Sequence, residues 1–264
     1  MTDSLKDIQT RIEKLRALIH QYRYDFHVLD KETISPEALD SLKKELKDLE
    51  TEYPQFYDTN SPTERVAGQA IDMFVKVPHK VQQWSYNDAF TEEDMIGFNE
   101  RINRFLKRDL STPIEYTCEL KIDGLKIVLE YEKGNFVRAI TRGDGLVGED
   151  VTHNIRTIQS VPLVLTSPVT CIAEGEVWVG KKNFALLNER QKKNNAPLYA
   201  NPRNTAAGAV RQLDPAIAAS RNLDMFVYHL AFIDEKTVDK KDVLPTDQYE
   251  EIQYLKKLGF KTNP

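Results

Sequence analysis

The run Glu119-Leu120-Lys121-Ile122-Asp123-Gly124-Leu125 sets one amine and two carboxylates at alternate positions. In an extended strand alternate residues share a face, so Glu119, Lys121 and Asp123 would cluster. A strand-borne lysine followed by Asp-Gly suits an amine that forms a phosphoramidate with a nucleotide. The strand would hold the amine rigidly, and the glycine turn would let backbone and phosphate approach closely. The same letters also describe a solvent-facing strand ending in a tight turn that Asp123 stabilises. Three more polar runs follow. Thr141-Arg142-Gly143-Asp144-Gly145 through Thr152 carries four charged groups and three glycines, which suits a pocket wall better than a core. Glu174-Gly175-Glu176-Val177 sets carboxylates on another strand. Ala200-Asn201-Pro202-Arg203-Asn204-Thr205-Ala206-Ala207-Gly208 leads into Val210-Arg211-Gln212-Leu213-Asp214-Pro215.

The elements that must position these groups are legible from periodicity. Leu5, Ile8, Ile12, Leu15, Leu18, Ile19, Tyr22 and Phe26 form one helical stripe. Ser35-Pro36-Glu37 restarts the chain as a second helix, with a cap, a first-turn proline and an acid at the positive end of the dipole. Leu39, Leu42, Leu46 and Leu49 carry that helix to Tyr53-Pro54. Such a hairpin is too small to stand alone and should dock on something. Asp58–Thr63 is the best candidate linker. Beyond it, strands are expected over Ile114–Ile122, Leu125–Tyr131, Phe136–Thr141, Val169–Val179 and Leu223–Phe232, with a turn at Glu132–Asn135. Helices are expected over Glu92–Lys107, Lys182–Lys193 and Thr246–Leu258. The pattern predicts an α+β fold: a helical hairpin module at 1–60, then a domain at 61–264 with antiparallel sheets and flanking helices.

The 264 residues are 41% hydrophobic and 29% charged, a composition that supports a core and argues against disorder. No apolar run reaches membrane-spanning length. Met1–Asp7 shows no basic flank before an apolar stretch, so a cytoplasmic location is expected. Cys118 and Cys171 lack the four-ligand spacing of a structural zinc site and are expected to be small buried thiols. The net charge of −5 gives no general basic field, so contact with nucleic acid would rest on local patches. Lys181-Lys182, Lys192-Lys193 and Arg203 with Arg211 are such patches, more readily read as solvated helix faces.

With these runs in this order, the chain resembles bacterial NAD-dependent DNA ligases over essentially its whole length. The Lys121 run, Thr141–Gly145, Asn201–Pro215 and Asn60-Ser61-Pro62-Thr63-Glu64-Arg65-Val66 are similar to four signatures of that family. The resemblance implies a nucleotidyltransferase (adenylation) domain after a nicotinamide-mononucleotide-binding hairpin. It implies Lys121 as the residue that takes AMP from NAD, with Asp123 beside it. Glu119, Arg142 and Glu176 match positions that hold adenosine, Ser85-Tyr86 a dipeptide lining the same pocket, and His27 with Asp40 the mononucleotide module. Mg²⁺, or Mn²⁺ in its place, would assist, with no zinc and no other metal site in this chain. In the longer ligases AMP then passes to the 5′-phosphate of nicked duplex DNA, and sealing serves replication and repair.

Two departures from the family pattern matter. Phe26 and Leu39 stand where tyrosines are common, and Pro36 where an aspartate is common, so polar handles are lost from the mononucleotide site. The family's adenylation domain also continues beyond the position of Pro264, with two more pocket lysines, and DNA-clamping modules follow. The expectation is a truncated adenylation domain, or one that a partner chain completes. By itself it should adenylate slowly or undetectably and should not seal nicks.

Overall fold

The computed structural model describes residues 3–66, 72–108 and 113–263, and of residues 3, 4 and 36 only the backbone. Helix α1 (Asp3–His27) and helix α2 (Pro36–Glu52) form the hairpin. Ile12, Leu15 and Ile19 of α1 meet Leu46 of α2 in a small core of their own, closed by Ile8, Leu39, Leu42, Leu49 and Phe56. The Ser35 hydroxyl accepts from the Ala38 N–H and caps α2 as its sequence predicts. Arg16 pairs with Glu50 at 2.6 Å, both largely buried, and locks the two helices together.

The stretch Asp58–Thr63 is no loose linker. Asn60 and Ser61 are buried, and Pro62–Val66 forms a 3₁₀ turn. The buried Arg65 guanidinium donates to the carbonyls of Arg156, Ile158 and Val161 at 3.1, 2.8 and 2.9 Å. Arg156 reaches back to the Thr59 carbonyl at 2.7 Å and to Asn60 Oδ1 at 2.9 Å. Composition suggested a tether because the residues are polar. Here their polarity satisfies buried backbone groups at a seam.

Past the seam come β1 (Lys76–Pro78), α3 (Glu92–Phe105), β2 (Leu125–Glu132), β3 (Asn135–Thr141), β4 (Val147–Glu149) and the short α4 (Thr152–Ile155). They are followed by β5 (Cys171–Trp178), α5 (Lys181–Lys193), α6 (Pro202–Val210), the short α7 (Pro215–Ala219), β6 (Asp224–Ile233) and α8 (Gln248–Lys257). An antiparallel sheet runs in the order β3-β2-β5-β6, and β1 pairs with β4 in a separate ribbon. Lys133 and Gly134 both have positive φ, 48° and 79°, the geometry that a two-residue hairpin turn requires between β2 and β3.

The period of two divides the sheet. Ile127, Leu129, Tyr131, Ala173, Val177 and Val227 point into the main core with α6 and α8. The other face carries Lys126, Glu174 and Glu176, with a smaller apolar cluster of Val128, Ile140 and Ile172. No helix among the described residues is long and apolar enough to cross a membrane.

One expected strand is absent. Residues 113–123 form no regular element, and both edges of β2 are already paired, with β3 and with β5. Hydrophobic alternation over Ile114–Ile122 was correctly seen, but a strand also needs a ladder partner, and none occurs among the described residues. Cys118, which lies in this stretch, is therefore exposed and corrects the expectation of two buried thiols; Cys171 is buried and its thiol is pushed up to about 12.

Candidate active site

Gly124 explains why the segment before β2 lies where it does. A Cβ at this residue would stand 2.1 Å from the Val177 carbonyl oxygen, so only glycine lets the chain pass against β5. That approach brings Lys121 beside Glu176, whose carboxyl burial pushes up, while Lys121, Arg203 and the Gly124 N–H pull it down. In the ladder Lys126 stands opposite Glu176, and Ile127 opposite Thr141. Glu176 and Arg142 therefore flank the start of β2 from either side, at the end of the sheet where Lys121 lies.

The three residues expected to share a strand face are held separately. Glu119 accepts from Gln248 Nε2 at 2.9 Å, and the same amide donates to the Tyr228 carbonyl at 3.0 Å. The Leu120 carbonyl accepts from Asn263 Nδ2 at 2.6 Å. Asp123 faces Arg203 at 3.5 Å, both exposed. Side-chain contacts from α8, the C-terminal residues and α6 thus do the positioning that a strand was expected to do.

Arg203 owes its place to its neighbours. Asn201 caps α6 by accepting from the Asn204 N–H at 2.7 Å, and Pro202 occupies the first turn. Ala206 and Ala209 are buried, and their small size lets the helix lie close under the sheet. Arg203 then projects from the exposed first turn toward Asp123 and Glu176. Sequence alone offers Arg203 as a solvated or phosphate-touching base; the Asn-Pro cap is the signal that it opens a helix at the site.

Arg142 sits in the turn joining β3 to β4. Gly143 has φ 56°, and a Cβ there would stand 1.8 Å from the Val147 carbonyl oxygen. The Asp144 carboxylate accepts from the N–H groups of Leu146 and Val147 at 2.9 and 2.8 Å, which lowers its pKa and fixes the turn. The Arg142 Nε is buried without a hydrogen-bond partner, so a donor remains for an acceptor at this spot. Backbone bonds from His79 to Leu146 and from Gln83 to Gly145 lay the preceding segment along this turn. Ser85 and Tyr86 follow, both exposed. The Tyr86 phenol is pushed up by desolvation and by the charges of Glu174, Glu251 and Glu119.

His27 and Asp40 are not joined to this group. His27 is half-buried, and burial with Arg23 and Arg65 lowers its pKa to about 4; Asp224 opposes that shift, and Lys261 adds to it. Asp40 is exposed and pairs with Lys43 at 2.9 Å. Phe26 is 50% exposed, Leu39 packs in the hairpin core, and the side chain of Pro36 lies outside the described residues.

An open cleft of about 810 Å³ lies elsewhere, lined by Asn60, Glu132, Lys133 and Arg156. It sits at the far end of β2, a strand of eight residues, roughly 25 Å from the Lys121 end. Its chemistry is that of the seam. No group of three or more His, Cys, Asp or Glu side chains that could hold a metal occurs among the described residues.

Residues 71–264 match the family model for the NAD-dependent DNA ligase adenylation domain. Residues 5–67 match that for the DNA ligase-like, N-terminal NAD+-binding domain. The chain belongs to the NAD-dependent DNA ligase family. Among curated relatives, the DNA ligase of Bacillus cytotoxicus is 46% identical over 261 residues, 99% of this chain and 38% of the relative. The DNA ligases of Bacillus cereus and Bacillus anthracis are each 46% identical over 254 residues, 96% of this chain and 36% of theirs. The chain thus spans little more than a third of the length of these ligases.

Proposed function

We propose that this chain is the adenylating part of an NAD-dependent DNA ligase and that Lys121 is its nucleophile. Lys121 Nζ attacks the α-phosphorus of NAD. The N–P bond forms as the P–O bond to nicotinamide mononucleotide breaks. The mononucleotide leaves with the electron pair, and the amine's proton passes to solvent or a nearby carboxylate. The observation that carries this reading is Gly124 packed on Val177, which brings the lysine beside Glu176. Glu119, Arg142, Glu176, Ser85 and Tyr86 would hold the adenosine half, with Asp123 and Arg203 at the phosphate side.

Residues 1–60 would hold the mononucleotide half through His27 and Asp40, and residues 61–264 would carry the transfer. Among the described residues no hydrogen bond or ion pair joins His27 or Asp40 to Lys121, so NAD itself would bridge the two halves. Mg²⁺ or Mn²⁺ would ride mainly on the phosphates, the usual mode for a cation held by few protein ligands.

We further infer that nicked duplex DNA is the eventual substrate, in the cytoplasm. The site would be completed by further polypeptide, from a longer ligase chain or a partner. That this chain and its relatives overlap over little more than a third of the relatives' length supports that last point. Intact-mass analysis after incubation with NAD or with ATP tests the proposal. An AMP adduct from NAD in preference to ATP, however slowly formed, supports it; preference for ATP, or an adduct that survives Lys121→Ala, overturns it.

A further inference from the structure

Lys126 stands on β2 beside the proposed nucleotide pocket, and the proposed transfer does not use it. Its side chain is 14% exposed, and its Nζ lies 2.7 Å from Glu174 Oε2, itself 6% exposed. A buried ion pair costs desolvation that its own attraction barely offsets, so one beside an active site invites another explanation than stability. The pair is also extended. Glu174 faces His229 across the ladder, and His229 Nδ1 meets Glu251 Oε1 at 2.9 Å, so polar groups continue across the sheet. The hydrogen bond to Glu251 raises the His229 pKa against its burial, and Glu174 adds to the rise.

The same amine makes one contact off the sheet. Lys126 Nζ donates to the Trp84 carbonyl at 3.4 Å. Backbone bonds anchor the preceding segment up to Gln83, and the next hydrogen bond along it is from the Phe90 N–H to Asp94. Among the described residues, Lys126 is therefore the only hydrogen-bond anchor for the stretch that presents Ser85 and Tyr86.

We propose that Lys126, held by Glu174, is a positioning residue that fixes the Ser85-Tyr86 segment over the sheet and so sets how well the pocket takes a nucleotide. The proposal rests on the adenylation reading for its kinetic consequence, but not for its structural one. Lys126 is not itself a nucleophile, because its amine is paired and buried.

Lys126→Met removes the tether but leaves Glu174 buried without a partner, and that variant could fail to fold. The double variant Lys126→Met/Glu174→Met removes the whole pair at similar volume and should keep the fold. Two readouts follow. Chymotryptic cleavage within residues 84–90, which offer Trp84, Tyr86 and Phe90, should quicken about tenfold in the double variant, while β2 and β5 amides stay protected from hydrogen exchange. In adduct formation the KM for NAD should rise about tenfold, with the rate at saturation within about twofold. Lys126→Arg, which keeps charge and donor, should hold cleavage at 84–90 near the wild-type rate. Wild-type cleavage at 84–90 in the double variant would overturn the proposal whether or not the protein adenylates. A loss in saturating rate with unchanged KM would overturn it too. Preference of the wild type for ATP would instead count against the adenylation reading, with the cleavage arm still deciding the tether.

Discussion

On the core side of the sheet Ile127, Leu129 and Val177 are fully buried, whereas Phe90, Phe105 and Leu120 are 86%, 85% and 67% exposed. The two regions meet at Gly124. On one side of it every strand has a ladder partner and a packed face. On the other, residues 113–123 are held by a few side-chain bonds from Gln248, Asn263 and Arg203. The candidate site is split along this line: Glu176 and Arg142 ride on the sheet or its turns, while Lys121 and Asp123 ride on the loosely held approach. A rigid frame thus presents the nucleotide-binding groups, and the nucleophile is the part whose setting has most to gain from further ordering.

The contrast can be broken most sharply by deletion in the core. Leu129→Ala should cost about 2–5 kcal/mol in urea unfolding, whereas Phe105→Ser should change stability by no more than about 0.5 kcal/mol. Equal costs at the two positions would mean that the 84–123 region is packed after all. Next in size, Arg65→Met leaves three buried carbonyls without their donor and should cost roughly 3 kcal/mol. Chymotryptic cleavage at Phe56 and the exposed Tyr57 should speed up with it; unchanged cleavage would show that the seam has other supports. At the junction, Gly124→Ala should cost about 1–3 kcal/mol through its contact with Val177. An alanine variant as stable as the wild type would place the 121–124 segment elsewhere.

A smaller effect should appear with pH. His20 is held near 4 by burial and by Arg65 and Arg23, against an ordinary value of 6.5. Between those values the unfolded chain binds the proton and the folded chain does not. Its contribution is therefore complete above pH 6.5 and is lost as pH falls toward 4. His20→Gln should flatten the stability profile in that window, and an unaltered profile would remove His20 from the account.

Much of this was legible in the sequence. The stripe of α1, the Ser35 cap, the Lys133-Gly134 turn and the three strands β2, β5 and β6 follow from local periodicity and turn chemistry, which the chain carries in itself. The strand expected at 114–122 failed because pairing is decided by which neighbours exist, and alternation says nothing of that. Composition makes Asp58–Thr63 a linker and the resemblance makes Asn60–Val66 a signature; only the structure assigns Arg65 to backbone carbonyls of the 156–161 stretch. Of the candidate site, Lys121, Glu176 and Arg142 are named by the family resemblance of their runs. Lys126 could not, because its meaning depends on the β2–β5 register and on a carbonyl 42 residues earlier.

The central claim, that Lys121 Nζ takes AMP from NAD, is tested most directly by peptide mapping of the adenylated protein alongside Lys121→Ala and Lys121→Arg. An amine nucleophile predicts one AMP on the peptide carrying Lys121 and none in either variant, since a guanidinium stays protonated and cannot attack. AMP on another residue, or labelling retained in either variant, would contradict it.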